Sequence, residues 1–436
     1  MGEAQARSSG GEESPRAPAG LGQNRDFTQL FSAQVISLVG SGVTSVALAA
    51  FAYQLTGRDA TAVVGIALML RILAFLLFSQ PAGVLADRVN RKWVLVASDL
   101  IRVGLLGLFP FLRAVWQIYA LIFAINAVTA FFTPTFEASI PEVVGERLYT
   151  RALSLSRVAT DLEAALGPLL AGVLIAWVGV RWAFWFDGLT YLASAALVLL
   201  SRVPRAEGST AFRWSDLVRE VTHGTRVLLR EPALRRALVL HMAEASAGAV
   251  AIVTTIVYVR DVLGRGDVAF AVAMAALGAG SSAAALLLAK GAEEAQAATG
   301  RALLRHLRYH RWAERSLVAG GGVLALALLP GVLRPGFAIL LALWALNGAG
   351  QAMIAVPSVG LLAEHTEPGE WGRAYAAHFA WTHLFWLATY PAAGFLARAA
   401  GTPLTFTVAG GLCVVLTGLA SLMGTAHRPH PVAETE

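Results

Sequence analysis

Two ionisable side chains stand one helical turn apart inside an otherwise apolar part of the chain. His241 and Glu244 are three residues apart, so on a helix they share one face. Both can gain and lose a proton, and the imidazole does so near neutral pH. With Met242 between them, they also offer nitrogen, thioether and carboxylate ligands of the kinds that nickel, zinc and copper accept. This stretch therefore predicts either a proton-handling site or a metal site.

Charged residues in other apolar segments are candidates for the same site. Arg71, Asp161 and Glu163 lie deep inside such segments, where an unpaired charge costs about 3 kcal/mol or more in a bilayer. We expect Arg71 to pair with one of the two carboxylates, either as a static ion pair or within a substrate or proton site. Asp99 and Arg102 are three residues apart, and we expect them to form a structural pair on one helix face.

A later histidine is expected to complete the set. His378 and His383 are five residues apart and face different directions on a helix, and Tyr375 falls on the side of His378. We therefore expect His378 to reach a central cavity. The predicted metal ligands are His241, Glu244 and His378. The full predicted substrate or proton site comprises Arg71, Asp161, Glu163, His241, Met242, Glu244, Asn347, Gln351 and His378.

The elements that position these residues are predicted to be membrane-spanning helices. Of the 436 residues, 56% are hydrophobic and only 14% are charged, against about 25% charged in soluble domains. A helix needs about 20 mainly apolar residues to cross a bilayer. Twelve segments meet this requirement: 27–55, 61–82, 93–112, 115–138, 153–179, 182–200, 234–259, 268–289, 316–333, 336–362, 374–396 and 403–424.

The longest connection divides these segments into two groups of six. We predict an all-α membrane protein with a disordered tail over 1–26, helix bundles over 27–200 and 234–424, and a second tail over 425–436. The middle connection, 201–233, alternates apolar and basic residues in a helical pattern, which predicts an amphipathic helix at the membrane surface.

The distribution of positive charge predicts the orientation. Most of the 34 Lys and Arg residues lie in the tails and in the connections that follow even-numbered segments. Because basic loops stay in the cytoplasm, both termini are predicted to be cytoplasmic. The same bias explains the net charge of +6 without a nucleic-acid partner. A single cysteine, Cys413, excludes a disulfide framework and a cysteine-rich metal site.

A charged segment between the second and third spans carries a recognisable motif. The stretch GVLADRVNRK resembles the Gly-x-x-x-Asp-Arg-x-Gly-Arg-Arg/Lys signature of the Major Facilitator Superfamily, in which it serves as a gating motif. The matching residues are Gly83, Asp87, Arg88, Arg91 and Lys92. Asn90 replaces the second glycine, and we expect it to preserve the turn because asparagine tolerates positive φ. No second copy of the motif stands in the connection over 290–315.

Two further stretches resemble the branch of this family that contains drug, siderophore and nickel exporters. FTPTFEASIP, at residues 132–141, resembles the proline-rich exit from the fourth span, and Gly167-Pro168 resembles the kink in the fifth. The resemblance implies a monomeric, proton-coupled exporter in the bacterial cytoplasmic membrane, with no cofactor and no enzymatic activity. Nickel or cobalt is the first substrate expectation, and a drug or siderophore is the second.

The energy source and the main alternative class also follow from the sequence. The chain has no Walker-type phosphate-binding motif, so an ion gradient is the expected driving force. A non-transporting membrane receptor is the alternative from another class. Such a receptor would normally carry a soluble sensing domain, and no connection is long enough to form one.

Overall fold

The structure, a computed structural model, describes residues 20–203, 214–297, 302–366 and 370–423. Within these ranges the chain forms thirteen α-helices and no strand. They are α1 Arg25–Thr56, α2 Ala60–Arg88, α3 Arg91–Leu108, α4 Val115–Val144, α5 Glu146–Val178, α6 Val180–Leu200, α7 Trp214–Arg230, α8 Pro232–Val257, α9 Asp267–Ala297, α10 Ala302–Leu328, α11 Phe337–Glu364, α12 Trp371–Ala400 and α13 Thr402–Leu422. Most of the first tail and all of the second lie outside the described residues.

Each of the twelve predicted segments coincides with one of these helices. Within the described residues, nine stretches are long and apolar enough to cross a membrane, and the first covers α1 together with most of α2. Neither α5 as a whole nor α12 is among them; α5 contributes only the short apolar segment Leu166–Val178. The reason is compositional, because α5 and α12 carry many of the charged, histidine and hydroxyl side chains of the candidate site.

The connection predicted over 290–315 is largely helical. The eighth predicted segment continues as α9 to Ala297, and α10 begins at Ala302 rather than at 316. This part of the chain is rich in Ala, Glu, Leu and Arg, which are strong helix formers whether or not they lie in a membrane. Gly320 of α10 allows close packing, since a Cβ there would lie 2.9 Å from Met353 Cβ of α11.

The middle connection contains the predicted helix, α7, but this helix is packed against α12. Gly224 lies so close to the carbonyl of Arg373 that a side chain there would overlap it. Trp381 Nε1 donates a hydrogen bond to Thr225 Oγ1 at 3.0 Å, and His223 Nε2 lies 2.8 Å from Glu370 Oε1. The predicted position of this helix at the membrane surface stays a prediction.

Helix packing divides the chain into two groups that are joined mainly by two helix pairs. The helices α1–α6 pack on one another, and so do α8–α13. The pairs α2–α12 and α5–α9 join the two groups most extensively. We call the end of the molecule at which α1 begins and α13 ends the terminal end. The other end, with the connections α1–α2, α8–α9 and α12–α13, is the opposite end.

Candidate functional site

A cavity of about 780 Å³ opens among the helices on the side of the terminal end. Its wall comes from the first halves of α1 and α5, the second half of α4, and single residues of α3, α6 and α12. Neutral polar, aromatic and charged side chains all contribute, among them Gln34, Ser37, Ser41, Thr129, Thr133, Phe132, Phe136, Arg102, Glu137, Arg157, Tyr191 and Tyr375. This mixture suits an organic molecule with both apolar and polar parts.

Three of the predicted site residues form a hydrogen-bonded chain between α8 and α12. Nδ1 of His241 lies 2.5 Å from Oε2 of Glu244, and Nε2 of His241 lies 3.1 Å from Nε2 of His378. The His241 and Glu244 side chains are only 6% and 12% exposed. With Glu244 ionised, His241 donates from Nδ1 to the carboxylate and accepts at Nε2 from His378. His378 is one helical turn from Tyr375, which lines the cavity.

The three predicted metal ligands are therefore adjacent, but they are arranged in a line. His241 directs one ring nitrogen at Glu244 and the other at His378, so the three donor atoms do not converge on one point. A chain of this kind can pass a proton between its ends. Met242 faces another direction and lines an apolar pocket of about 210 Å³ formed with α12 and α13.

The two predicted amides, Asn347 and Gln351, lie on α11 and pack against α8. Gln351 Nε2 donates to Asn347 Oδ1 at 2.7 Å, and Asn347 Nδ2 donates to the carbonyl of Ala247 at 3.4 Å. A Cβ on Gly248 would lie 3.1 Å from Gln351 Oε1. Asn347 is fully buried, so this pair fastens α11 to α8 just beyond the histidine chain.

Arg71 and Glu163 lie in electrostatic range of each other without a direct ion pair. Glu163 is partly buried beside Gly42 and Gly167, and the side chain of Arg71 is exposed. No ion pair of Arg71 within 4.0 Å occurs among the side chains that the structure describes. The side chain of Asp161 is outside the described set, so its predicted pairing stays a prediction.

A buried carboxylate that the sequence analysis did not select, Asp187, lies beside α1. Asp187 of α6 is 2% exposed and accepts hydrogen bonds from Thr44 Oγ1 at 2.6 Å and from Thr190 Oγ1 at 3.3 Å. A side chain on Gly40 would overlap its carboxylate, so this glycine makes room for it. The sequence does contain an indication of this site, because a single carboxylate in an apolar segment is a functional candidate by default.

The predicted pair of Asp99 and Arg102 is confirmed, and Arg102 lines the cavity. Arg102 Nη2 lies 2.5 Å from Asp99 Oδ1, and its guanidinium lies between the rings of Phe132 and Tyr191, 4.5 and 4.0 Å from their centroids. Tyr191 shares a hydrogen bond of 2.8 Å with Ser41 of α1. Arg102 is thereby held rigidly, with its charge neutralised by its own helix.

Comparison with known proteins identifies the family. The family model described as Major Facilitator Superfamily matches residues 30–304 and 309–436. The chain belongs to the Major Facilitator Superfamily. It is accordingly a multi-pass membrane protein, and its relatives are transporters rather than enzymes.

Several Major Facilitator relatives are similar over different lengths. The MFS-type transporter YfiS of Bacillus subtilis is 25% identical over 91% of this chain and 92% of its own. Macrolide efflux protein A of Streptococcus pyogenes is 25% identical over 48% of this chain and 52% of its own. Enterobactin exporter EntS of Salmonella typhi is 30% identical over 41% of this chain and 44% of its own. The matches to the two named exporters thus span about half of each protein.

Solved structures of Major Facilitator transporters share the fold. A bacterial homologue of the human lysosomal transporter Spinster aligns with a TM-score of 0.71 at 13% identity, covering 94% of this chain and 99% of that one. The nucleoside transporter NupG aligns with a TM-score of 0.70 at 12% identity, covering 91% and 98%. At these identities the likeness supports the fold alone.

The Major Facilitator signature segment ties helices together within the first group. Asn90 has φ of −66° and caps α3 by accepting from Lys92 N, so the expectation of a positive φ was wrong. Asparagine is a preferred N-cap, which explains its presence here without a glycine-type turn. Arg91 Nη1 binds Glu142 Oε1 at 2.5 Å, and Lys92 Nζ donates to Leu199 O at 2.6 Å.

The remaining signature residues lie at the end of α2, where Gly83, Asp87 and Arg88 have a described backbone but no described side chains. The predicted gating contact across the two groups of helices therefore stays a prediction. In the fifth span, Pro168 lies inside the continuous helix α5. Gly167 contacts α1 directly, since a Cβ there would lie 3.0 Å from Gly42 Cα.

The opposite end of this Major Facilitator chain is closed by polar contacts between the two groups of helices. Asp261, in a π-helical turn at the end of α8, binds Arg58 Nε at 2.9 Å and Tyr53 OH at 2.5 Å. Asp59 binds Arg398 Nε at 2.8 Å. We call these five residues the opposite-end clasp. The structure is therefore closed at the opposite end by these contacts, while the cavity lies toward the terminal end.

Replacing Asp261 with Asn should loosen the clasp and favour a state open at the opposite end. Asparagine keeps one acceptor oxygen but loses the charge that pairs with Arg58, and exposed ion pairs contribute about 0.2–1 kcal/mol each. The open population should therefore rise by up to about fivefold. The measurement is the distance distribution between spin labels at positions 113 and 332, in a Cys413→Ser background. Asp267→Asn is the control, because Asp267 pairs with Arg260 within one group. Equal distributions in both variants would contradict the role of the clasp.

Proposed function

We propose that this protein is a proton-coupled exporter of an organic solute, working by alternating access. The proposal includes twelve spanning helices in two halves of six, over 27–200 and 234–424, with both termini in the cytoplasm of a bacterium. The basic tails and even connections support this orientation. The terminal end is then the cytoplasmic end, and the cavity faces the cytoplasm, where an exporter collects its solute.

The main support for proton coupling is the hydrogen-bonded chain formed by Glu244, His241 and His378. A proton entering at Nδ1 of His378 can release the Nε2 proton to His241, which in turn passes its Nδ1 proton to Glu244. One proton enters the chain and one arrives at Glu244, so the transfer balances. The side chains of His241 and Glu244 are almost completely shielded from solvent, and His378 lies one helical turn from Tyr375. A change in the charge of this chain therefore changes the electrostatic potential at the wall of the cavity.

Asp187 is the second proton site in this proposal. Its carboxylate is buried with hydroxyl partners only, and no cation lies within ion-pair distance among the described residues. Burial without a nearby cation favours the neutral, protonated form of a carboxyl group. Through Thr44 it contacts α1, which also supplies Gln34, Ser37 and Ser41 to the cavity. Protonation at Asp187 would therefore be coupled to the packing of α1.

The cavity favours an organic solute over a metal ion. Its volume of about 780 Å³ lies within the range of pockets that enclose drug-sized molecules, about 300–1,000 Å³. Relatives named for macrolide efflux and for enterobactin export support the same class. Nickel or cobalt as cargo would need His241, Glu244 and His378 to reorient toward a common point, because they now form a line.

Flux into reconstituted vesicles with an imposed pH gradient tests the proposal. A labelled macrolide, a catechol siderophore and Ni²⁺ are supplied side by side, with a proton-sensitive dye inside the vesicles. We expect gradient-driven movement of an organic solute with matching proton movement, and none of Ni²⁺. Nickel movement alone would favour the metal alternative. Tight binding of a solute without any flux would favour a receptor, and flux insensitive to a protonophore would exclude proton coupling.

A further inference from the structure

A second cluster of metal-binding side chains lies at the terminal end, on helices α10 and α11. His310 of α10, with Glu364 and His365 at the end of α11, places one potential ligand atom from each residue within 4.8 Å of the others. His310 Nδ1 is 3.7 Å from Glu364 Oε2. The three side chains are only 8–10% exposed. None of them belongs to the transport site proposed above.

We propose that this cluster is a binding site for a divalent transition metal, with Zn²⁺ as the favoured ion. Two imidazoles and a carboxylate are a common ligand set for zinc. Ligands on a tetrahedral ion at about 2.1 Å stand about 3.4 Å apart, so the ligand atoms, which lie within 4.8 Å of one another, need to close by at most about 1.4 Å. His365 directly follows the last residue of α11 and His310 lies in the third turn of α10, and rotation of the side chains can supply this adjustment.

The surroundings of both histidines match those of metal ligands. Nδ1 of His365 lies 2.9 Å from the carbonyl of Leu361, so this nitrogen carries the hydrogen and Nε2 is left to bind an ion. Nε2 of His310 lies 3.4 Å from Glu314 Oε1, which leaves Nδ1 facing Glu364. Glu314 is itself held by Arg236 Nη1 at 2.7 Å. A carboxylate or carbonyl behind each imidazole is the usual second layer around a metal ion, because it fixes the tautomer.

The position of the cluster indicates what a bound ion would do. In the first group of helices, Arg91 at the start of α3 binds Glu142 at the end of α4. The third and fourth helices of the second group are α10 and α11, and there the same kind of junction is made by His310 and Glu364. A metal ion bound between His310 and Glu364 would link α10 to α11, as the ion pair of Arg91 and Glu142 links α3 to α4. The terminal end of the second group, which lacks the signature motif, would then be fastened by metal.

Metal titration of the purified full-length protein tests this site. After removal of metal by a chelator, we expect one Zn²⁺ per chain by isothermal titration calorimetry and a rise in the unfolding temperature. Glu364→Gln and His365→Ala should each weaken binding at least about tenfold. With Co²⁺ as a spectroscopic probe, the wild type should show visible d–d absorption bands that disappear in His365→Ala.

Two controls assign the metal to this cluster. His241→Ala and His378→Ala remove the central histidines, and His427→Ala with His430→Ala removes those near the C-terminus; all should bind Zn²⁺ as the wild type does. Failure of stoichiometric binding, or binding that survives Glu364→Gln and His365→Ala, would overturn the site. Glu364→Gln keeps the size of the side chain, so it serves if His365→Ala fails to fold. Organic-solute flux is measured separately, so the two proposals fail independently.

Discussion

Replacing Glu244 with Gln is expected to abolish proton-driven solute movement while leaving the protein folded. Glutamine keeps the size of the side chain and a hydrogen bond to His241, but it cannot accept a proton. Removing a proton-transferring group typically costs about two orders of magnitude in rate, and we expect a loss of that size in initial flux driven by a pH gradient. The measurement is solute uptake into vesicles with and without the gradient.

The design separates coupling from binding. Exchange of labelled for unlabelled solute, with no pH gradient, needs no net proton movement and should persist in Glu244→Gln. Glu293→Gln, an exposed carboxylate near the end of α9, is the matched control and should behave as the wild type does. If Glu244→Gln retained the full gradient-driven rate, the chain of Glu244, His241 and His378 would be a structural feature rather than a proton path.

Replacing Asp187 with Asn should reduce gradient-driven flux about tenfold with little loss of stability. Asparagine can still accept from Thr44 and fits the space beside Gly40, but it has no exchangeable carboxyl proton. Asp187→Leu should instead destabilise the protein by about 1–3 kcal/mol, because the hydroxyl of Thr44 loses its acceptor in a buried place. The measurements are vesicle flux and the thermal unfolding temperature in detergent.

Thr44→Val distinguishes a proton site from a packing contact at this position. It removes the hydrogen bond of 2.6 Å to Asp187 and keeps the carboxyl group. A purely structural role predicts equal effects of Thr44→Val and Asp187→Asn on flux. The proton role predicts that Asp187→Asn loses gradient-driven flux while Thr44→Val retains most of it. A wild-type rate in Asp187→Asn would exclude the role.

Local spacing was a dependable guide where both partners stand on one helix. Asp99 with Arg102, and His241 with Glu244, are each three residues apart, and both pairs form as the helical period requires. The predicted partnership of Arg71 across helices does not appear among the described side chains. Its geometry depends on how α2 and α5 are rotated relative to each other, which no spacing within either segment specifies.

Helix positions also followed from composition, with errors that have a common cause. Apolar runs marked the twelve segments because lipid-facing helices must satisfy their backbone internally and cover it with apolar side chains. The boundary of α10 was misplaced because the helix continues beyond the apolar part into polar helix formers. Asp187 was overlooked for a related reason, since the apolar character of its segment hid the importance of its one carboxylate.

The amino-acid sequence was enough to identify a helical membrane protein of the Major Facilitator Superfamily, because hydrophobic length and a short charged motif are properties of contiguous residues. Only the tertiary structure joined His378 to His241, 137 residues apart, and set Asp187 against Thr44 of α1. It alone brought His310 to Glu364 and His365. These contacts depend on the rotation and depth at which separate helices pack, and many sequences with the same apolar pattern could pack them differently.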